Sequence, residues 1–493
     1  MDFIYGEDRE QTLLLPDSIE DYIGENNPVR VIDAYINGLD LLSLGFLGAE
    51  LKETGRPPYN PKDLLKLYVY GYMNRIRSSR RLEIETRRNL EVLWLLGKLS
   101  PDHKTIARFR QEHTKALKNV FCDFTRLCVK LELYGKELLA IDGSKFKAVN
   151  SRKRNFTKKQ IQDKIHKTTE KIDEYLRELE RNDAAESPVS SEKTKDEITK
   201  IISDLKECKT RYQGYADELE RTGEKQKSLT DGDSRLMTTN SAKMDVCYNV
   251  QTAVDAKNKL IVEFEVSNQG NDKNFITPMV KSSMELLETE KITAVADAGY
   301  ESIGDILSAK SQGIDVHVAG TDFDVCVPAD GGEQAEIRSH HQGRCVYIKE
   351  RNIALCPMGN ILYPTGHKKR KQGMGVFYNY QACQQCSCKC TTDARGRFQY
   401  QVPMAVQEFS KEYNDKGLVV KQIRIAPNIA LIKQRKAIVE HPFGTIKRSM
   451  EAGYCLTKGL RKVPGEFALT FLAYNLKRAI NTLGCAKLIA AMA

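Results

Sequence analysis

Hydrophobic and polar positions along this chain follow three spacings in turn, and each predicts a different element. From Pro61 the apolar residues Leu64, Leu65, Tyr68 and Tyr72 recur at helical spacing, and the first 130 residues read as helical throughout. An arginine-rich run follows, with Arg75, Arg77, Arg80, Arg81, Arg87 and Arg88 opposed only by Glu83 and Glu85. In SPDHKTIARFRQEH, Ser100 or Asp102 caps a helix that starts near Lys104. The layout is a helix, a short polar turn, and a second helix with Arg108 and Arg110 exposed. It reads either as a helix-turn-helix laid on DNA or as the solvated basic face of a bundle.

The spacing changes at Glu137. KELLAIDGSKFKAV predicts an apolar strand, Leu138 to Ile141, that ends in Asp142. Steps of three and four then return at Ile161, Ile165, Thr168, Ile172, Leu176 and Leu179, and again from Ile198 through Leu205, Tyr212 and Leu219. Joined by the polar NDAAESPVSSEK, these two runs predict an antiparallel helical hairpin. Alternation resumes in Met244 to Asp255 and Leu260 to Asn268. A helix is expected over 275–288, a strand over 292–300 that ends at Asp297, a helix over 302–312 and a strand over 314–320. Residues 321–420 read as irregular. The last 70 or so read as helical and close on an amphipathic helix.

These elements predict an α/β protein in five parts: helices over 1–130, a mixed-sheet core from 131–155 and 228–320, an inserted hairpin over 156–227, a Cys-bearing insert over 321–420, and C-terminal helices from 421 that complete the core. With 493 residues, several structural units are expected. The net charge of +10 favours a polyanionic partner. No run of 18 apolar residues suggests a membrane span, and MDFIYGEDREQ lacks the layout of a secretory signal. The 13 cysteines are therefore expected to be reduced, in a cytoplasmic protein. No P-loop pattern or Ser/His/Asp constellation is evident.

Three acids fall where a mixed sheet would gather them: Asp142 and Asp297 at strand ends, and Glu440 in the helical segment after the irregular region. Taken singly, an Asp before Gly is a turn residue and a Glu among lysines is a surface ion pair. Taken together, three carboxylates need cations. Hard oxygen donors suit two Mg²⁺ or Mn²⁺ ions, about 3.5–4 Å apart, that serve in-line phosphoryl transfer. Arg435, Lys436, Lys447 and Arg448 add positive charge beside Glu440. Lys447 lies two helical turns on and shares its face if the helix persists through Pro442 and Gly444. Asp231, Asp233, Asp245 and Asp255 read as turn or supplementary acids; Tyr300 and Glu301, after Asp297, read as positioning a flipped base or phosphate, or Tyr300 as a packing residue.

AIDGSKFKA, YNVQTAVD, VADAGYES and VEHPFGTIKR together resemble the blocks of DDE transposases of bacterial insertion sequences, in the branch numbered eleven eighty-two, near the four and five groups. GRPPYNPKDLLKLYVYGY, PDHKTIARFR and AYNLKR fit the same family, so the resemblance covers nearly the whole chain. It implies an RNase H-like core with Asp142, Asp297 and Glu440 as Mg²⁺ ligands and Lys447 as the lysine that follows the glutamate. It also implies binding to double-stranded terminal inverted repeats and target DNA, strand cleavage and transfer, and a homodimer or higher assembly on DNA near the nucleoid. Arg75, Arg77, Arg80, Arg81, Lys104, Arg108, Arg110, Arg435 and Arg448 are the expected DNA contacts. One departure stands out: the broader group often has tyrosine seven and arginine four positions before the glutamate, where this chain has Lys433 and Lys436. A DNA-binding regulator without catalysis, and a metal-dependent nuclease without strand joining, are the competing readings. Cys356, Cys383, Cys386 and Cys390 read as a tetrahedral structural zinc site or as reduced loop thiols, and HKKRK (367–371) as a phosphate contact or a solvated loop.

Overall fold

The computed structural model describes residues 18–46, 58–184, 195–239, 243–319 and 428–492, with shorter stretches at 323–328, 346–348, 353–355, 360–364, 374–379, 381–382, 398–401 and 420–425. Six helices lead: α1 (Pro28–Asn37), α2 (Pro61–Met73), α3 (Ser79–Arg88), α4 (Leu90–Leu95), α5 (His103–Glu112) and α6 (Thr114–Lys130). Their starts follow capping chemistry. Asn27 and Asn60 cap α1 and α2 ahead of a first-turn proline, Asn89 caps α4, and Asp102 accepts from the Lys104 and Thr105 amides at 2.8 and 3.1 Å to start α5. Every residue of α2 from Leu64 to Met73 is buried, so this helix is the axle of the helical part rather than a surface helix. It ends where the Ile76 amide donates to the Gly71 carbonyl at 2.7 Å and Arg75 takes a left-handed φ of 65°. A Cβ on Gly71 would stand 2.4 Å from the Ile76 oxygen, so the turn requires glycine there.

The central sheet is mixed. Its strands are β1 (Leu138–Lys147), β4 (Arg235–Thr238), β5 (Met244–Asp255), β6 (Ile261–Ser267), β7 (Thr293–Ala296) and β8 (Asp315–Val318). Between β1 and β4 the short strands β2 (Asn155–Thr157) and β3 (Gln226–Ser228) pair with each other. β5 runs antiparallel to β1 on one side and to β4 and β6 on the other, whereas β1, β7 and β8 are parallel neighbours. α9 (Ile276–Leu287) and α10 (Ile303–Ser311) make the crossovers that parallel strands need.

β1 is longer than its sequence suggests. It does not end at Asp142: it runs on to Lys147, paired with β5 throughout. Only its parallel pairing with β7 stops early, at Ala140. Asp142 before Gly143 taken singly reads as a turn, but β5 holds the DGSK stretch extended from one side.

α7 (Lys158–Ala184) and α8 (Lys195–Thr222) pack against each other around Ile172, Ile198 and Ile202, with the β2–β3 ladder closing their base. The expected irregularity of 321–420 is corrected by the strands described there. β9 (Phe323–Pro328) pairs with the late strand β15 (Val420–Ile425). Between them β10 (Val346–Ile348), β11 (Ile353–Leu355), β12 (Ile361–Pro364), β13 (Met374–Tyr378) and β14 (Phe398–Gln401) form an antiparallel sheet. Strands of three to six residues carry too few alternations to be read from sequence. The four cysteines of the expected zinc site, and HKKRK, lie outside the described residues.

The chain closes with α11 (Ile429–Gly444), a π-turn over Thr445–Ser449, α12 (Val463–Leu483) and α13 (Cys485–Ala490). α12 is buried along most of its length. One apolar core runs from Val29 in α1 through the sheet to Leu488 in α13, so the leading helices, the sheet and the closing helices share packing.

Candidate functional site

Two of the three acids come together where the parallel pairing of β1 with β7 ends. Asp142 lies just past the β1–β7 pairing, and Asp297 follows β7 directly and caps the turn Ala298–Tyr300 by accepting from the Gly299 amide at 2.9 Å. Arg435, from α11, spans them: its Nη1 is 3.4 Å from Asp142 Oδ1 and its Nη2 is 3.9 Å from Asp297 Oδ2. Nη1 is buried and makes no hydrogen bond among the described residues. Burial pushes the Asp142 carboxyl up to about 6; Arg435 opposes that rise, and the charge of Asp297 adds to it.

Lys447 also reaches this end of the sheet. Its ammonium donates to Ser144 Oγ at 2.5 Å and to the Lys145 carbonyl at 3.0 Å, and stands 4.5 Å from the centre of the Phe146 ring. Burial holds its pKa below the ordinary lysine value. Glu440 is not brought to the aspartates. Its side chain is 65% exposed, and the ion pair it makes is with Lys436, at 3.7 Å on its own helix. Among the described residues no three His, Cys, Asp or Glu side chains stand close enough to share a metal ion.

The expectation that Glu440 and Lys447 share a helix face is corrected. α11 does persist through Pro442 and Gly444, but the π-turn that follows is wider than an α-turn and rotates Lys447 off the Glu440 face and onto β1.

The expected DNA contacts divide sharply. Arg80 and Arg81 on α3, Arg75 at the α2 turn, Lys104 on α5, and Arg448 are exposed. Arg108 is exposed and paired with Glu112 at 2.8 Å. Arg77 and Arg110 are buried and cannot present a basic face. Arg77 donates to the Glu451 and Tyr454 carbonyls and pairs with Glu466 at 3.3 Å, while Arg110 donates to Tyr72 Oη at 2.9 Å. The reason is helical phase. Positions two apart point about 200° from each other, so with Arg108 facing out Arg110 must face in.

Asp272, in the loop between β6 and α9, was not foreseen. Its Oδ1 accepts from Lys145 Nζ at 2.9 Å and from the Asn249 and Gln251 side-chain amides at 2.7 Å each. The Gln251 carbonyl oxygen accepts from the buried hydroxyl of Tyr300. In sequence Asp272 sits in QGNDKN, which signals only a turn.

Two families match the chain. The one described as Transposase domain (DUF772) matches residues 17–112, the span of α1 to α5. The one described as Transposase DDE domain matches residues 355–480, which include Arg435, Glu440 and Lys447. Both are transposase domains, and together they support a DDE transposase of the insertion-sequence type. Asp142 and Asp297 lie between the two matched spans. No curated protein and no solved structure matches it.

Proposed function

We propose that this protein cuts the ends of its mobile element and joins the freed 3′-hydroxyl to target DNA, using Asp142, Asp297 and Glu440 on an RNase H-like core. The observation that carries this reading is the convergence of Asp142 and Asp297 on one guanidinium supplied by the helix that also bears Glu440. The strand order β6–β5–β1–β7–β8, with three antiparallel strands followed by two parallel ones, supports an RNase H-like core.

The donor set fits a hard divalent cation. Two carboxylates share a cationic partner whose Nη1 is buried without a hydrogen bond, so an ion that displaced it would break no aligned bond. Asp142 and Asp297 would hold Mg²⁺ or Mn²⁺, and Glu440 would join them by turning in from its exposed position. Such ions supply an activated water or hydroxyl and offset the charge of the leaving oxygen. Arg435, once released, and Lys447 bind and orient the scissile phosphate; their charge is worth most where burial lowers the local dielectric. Arg75, Arg80, Arg81, Lys104 and Arg108 hold the duplex flanks through phosphate contacts. The paired ends of an element call for at least two copies of the chain.

The exposed Glu440 gives some support to a catalytically silent DNA-binding protein. One assay separates the readings. Duplexes carrying the flanking inverted repeats are incubated with wild type, Asp142→Ala, Asp297→Ala and Glu440→Gln, in Mg²⁺ and in EDTA. Metal-dependent joined products that vanish in all three variants are expected. Cutting without joining would leave a nuclease, and binding without cutting would leave the silent protein.

A further inference from the structure

We infer that Asp272 is a positioning residue of this site, holding the turn that carries Asp297 from the opposite face of the sheet to Asp142. The inference rests on the function proposed above.

Side chains alternate along β1, so Asp142 and Ser144 share the face that meets α11, while Gly143 and Lys145 point to the other. In the β1–β5 register Gly143 lies opposite Gln251, and Lys145 lies opposite Asn249. Asp272 caps this second face. One oxygen, Oδ1, gathers Lys145 from β1 and both amides from β5. Gln251 is wholly buried, so its amide has no water to fall back on if Asp272 is removed. Its other end takes the Tyr300 hydroxyl, and Tyr300 closes the turn whose first residue is capped by Asp297. The second oxygen, Oδ2, stands over the same turn, 3.6 Å from where a Cβ on Gly299 would lie. A chain of contacts therefore runs from Asp272 through Gln251 and Tyr300 to the backbone that aims Asp297.

Gly143 is the other half of the device. A Cβ there would lie 2.4 Å from Gln251 Nε2 and 2.7 Å from Asp272 Oδ1, which is the line of their hydrogen bond. Glycine next to Asp142 is thus needed for side-chain closeness and not for an unusual backbone angle. The DG pair that reads as a turn in the sequence is a seat for Asp272.

The test compares full-length wild type, Asp272→Ala, Asp272→Asn, Tyr300→Phe, Gly143→Ala and the double variant Asp272→Ala/Tyr300→Phe. Two readouts are taken: Mn²⁺ binding, followed by the electron paramagnetic resonance of free Mn²⁺, and single-turnover cleavage of inverted-repeat DNA. Partners that orient metal-binding groups are typically worth about 10–100-fold. Asp272→Ala and Gly143→Ala are expected to weaken Mn²⁺ binding and slow cleavage within that range, at unchanged DNA affinity. Asp272→Asn keeps an acceptor for Gln251 and should recover most of the loss. The double variant should lose less than the product of its two single losses, because both act through Gln251.

Wild-type Mn²⁺ affinity and cleavage rate in Asp272→Ala would overturn the inference and leave the proposed function standing. So would losses that follow the unfolded fraction, show no recovery in Asp272→Asn, and multiply independently with Tyr300→Phe. Wild type that neither binds Mn²⁺ nor cuts DNA would overturn the proposed function, and this inference with it.

Discussion

The strand-borne and helix-borne halves of the site are held by different forces. Asp142 and Asp297 are fixed by backbone: one lies inside a strand paired along its length, and the other caps a turn at the end of a strand buried in the sheet. Glu440 and Lys447 depend on the rotation of one helix and its π-turn, and that rotation seats Lys447 on β1 while leaving Glu440 in solvent. A sheet delivers side chains by register, which slips only in whole residues. A helix delivers them by phase, which shifts continuously and cheaply. Two of the proposed acids are therefore set by register, and the position of Glu440 depends on helix phase.

The largest test of this contrast is Arg77→Ala. Arg77 is buried and holds Glu466 together with the carbonyls of Glu451 and Tyr454, the loop directly after Lys447. Breaking a buried ion pair costs about 3–5 kcal/mol. Urea unfolding should show a loss of that order, and hydrogen exchange should speed up over 445–457 before it does in β1. A loss under about 1 kcal/mol would mean that the helix-borne half is not held from there.

Next is Asp142→Asn in metal-free protein. Because the folded-state pKa of Asp142 is raised to about 6, the folded protein binds its proton more tightly than the unfolded chain does. Stability from this group is thus present below about pH 4 and falls as pH rises through 6. Asparagine removes that fall, so the variant should be more stable at pH 7.5 by on the order of 2 kcal/mol and equal to wild type near pH 4. The reverse trend in thermal melts would contradict a desolvated carboxylate.

Lys447→Ala removes two hydrogen bonds to β1 and should cost about 1–2 kcal/mol in urea unfolding. Glu440→Gln should change stability by less than about 0.5 kcal/mol, as its ion pair with Lys436 is exposed. A clear loss in that variant would show that Glu440 is already docked and would erase the contrast between the halves.

Much of the frame was legible from sequence. Met244–Asp255 forms one strand as its alternation indicates, and Asp297 falls at the end of β7 because an apolar run gives way there to a polar cap. The starts of α1, α2 and α5 were set by Asn or Asp ahead of proline or helix formers. The failures share a cause: each turned on a contact with residues remote in sequence. DGSK stays extended because β5 pairs with it, Arg110 points inward to Tyr72, and Asp272 matters only because β1, β5 and the Asp297 turn converge on it. None of these leaves a periodic or spacing signal.

Local chemistry therefore determined what the sequence by itself could determine: periodicity chose helix or strand, capping residues chose boundaries, and the polar cap after an apolar run placed Asp297 at the end of β7. Tertiary structure decided which arginines face solvent, how far β1 runs, and that Arg435 rather than Glu440 stands between the aspartates. Those outcomes depend on helix phase and long-range pairing, whose energies arise only when distant segments meet.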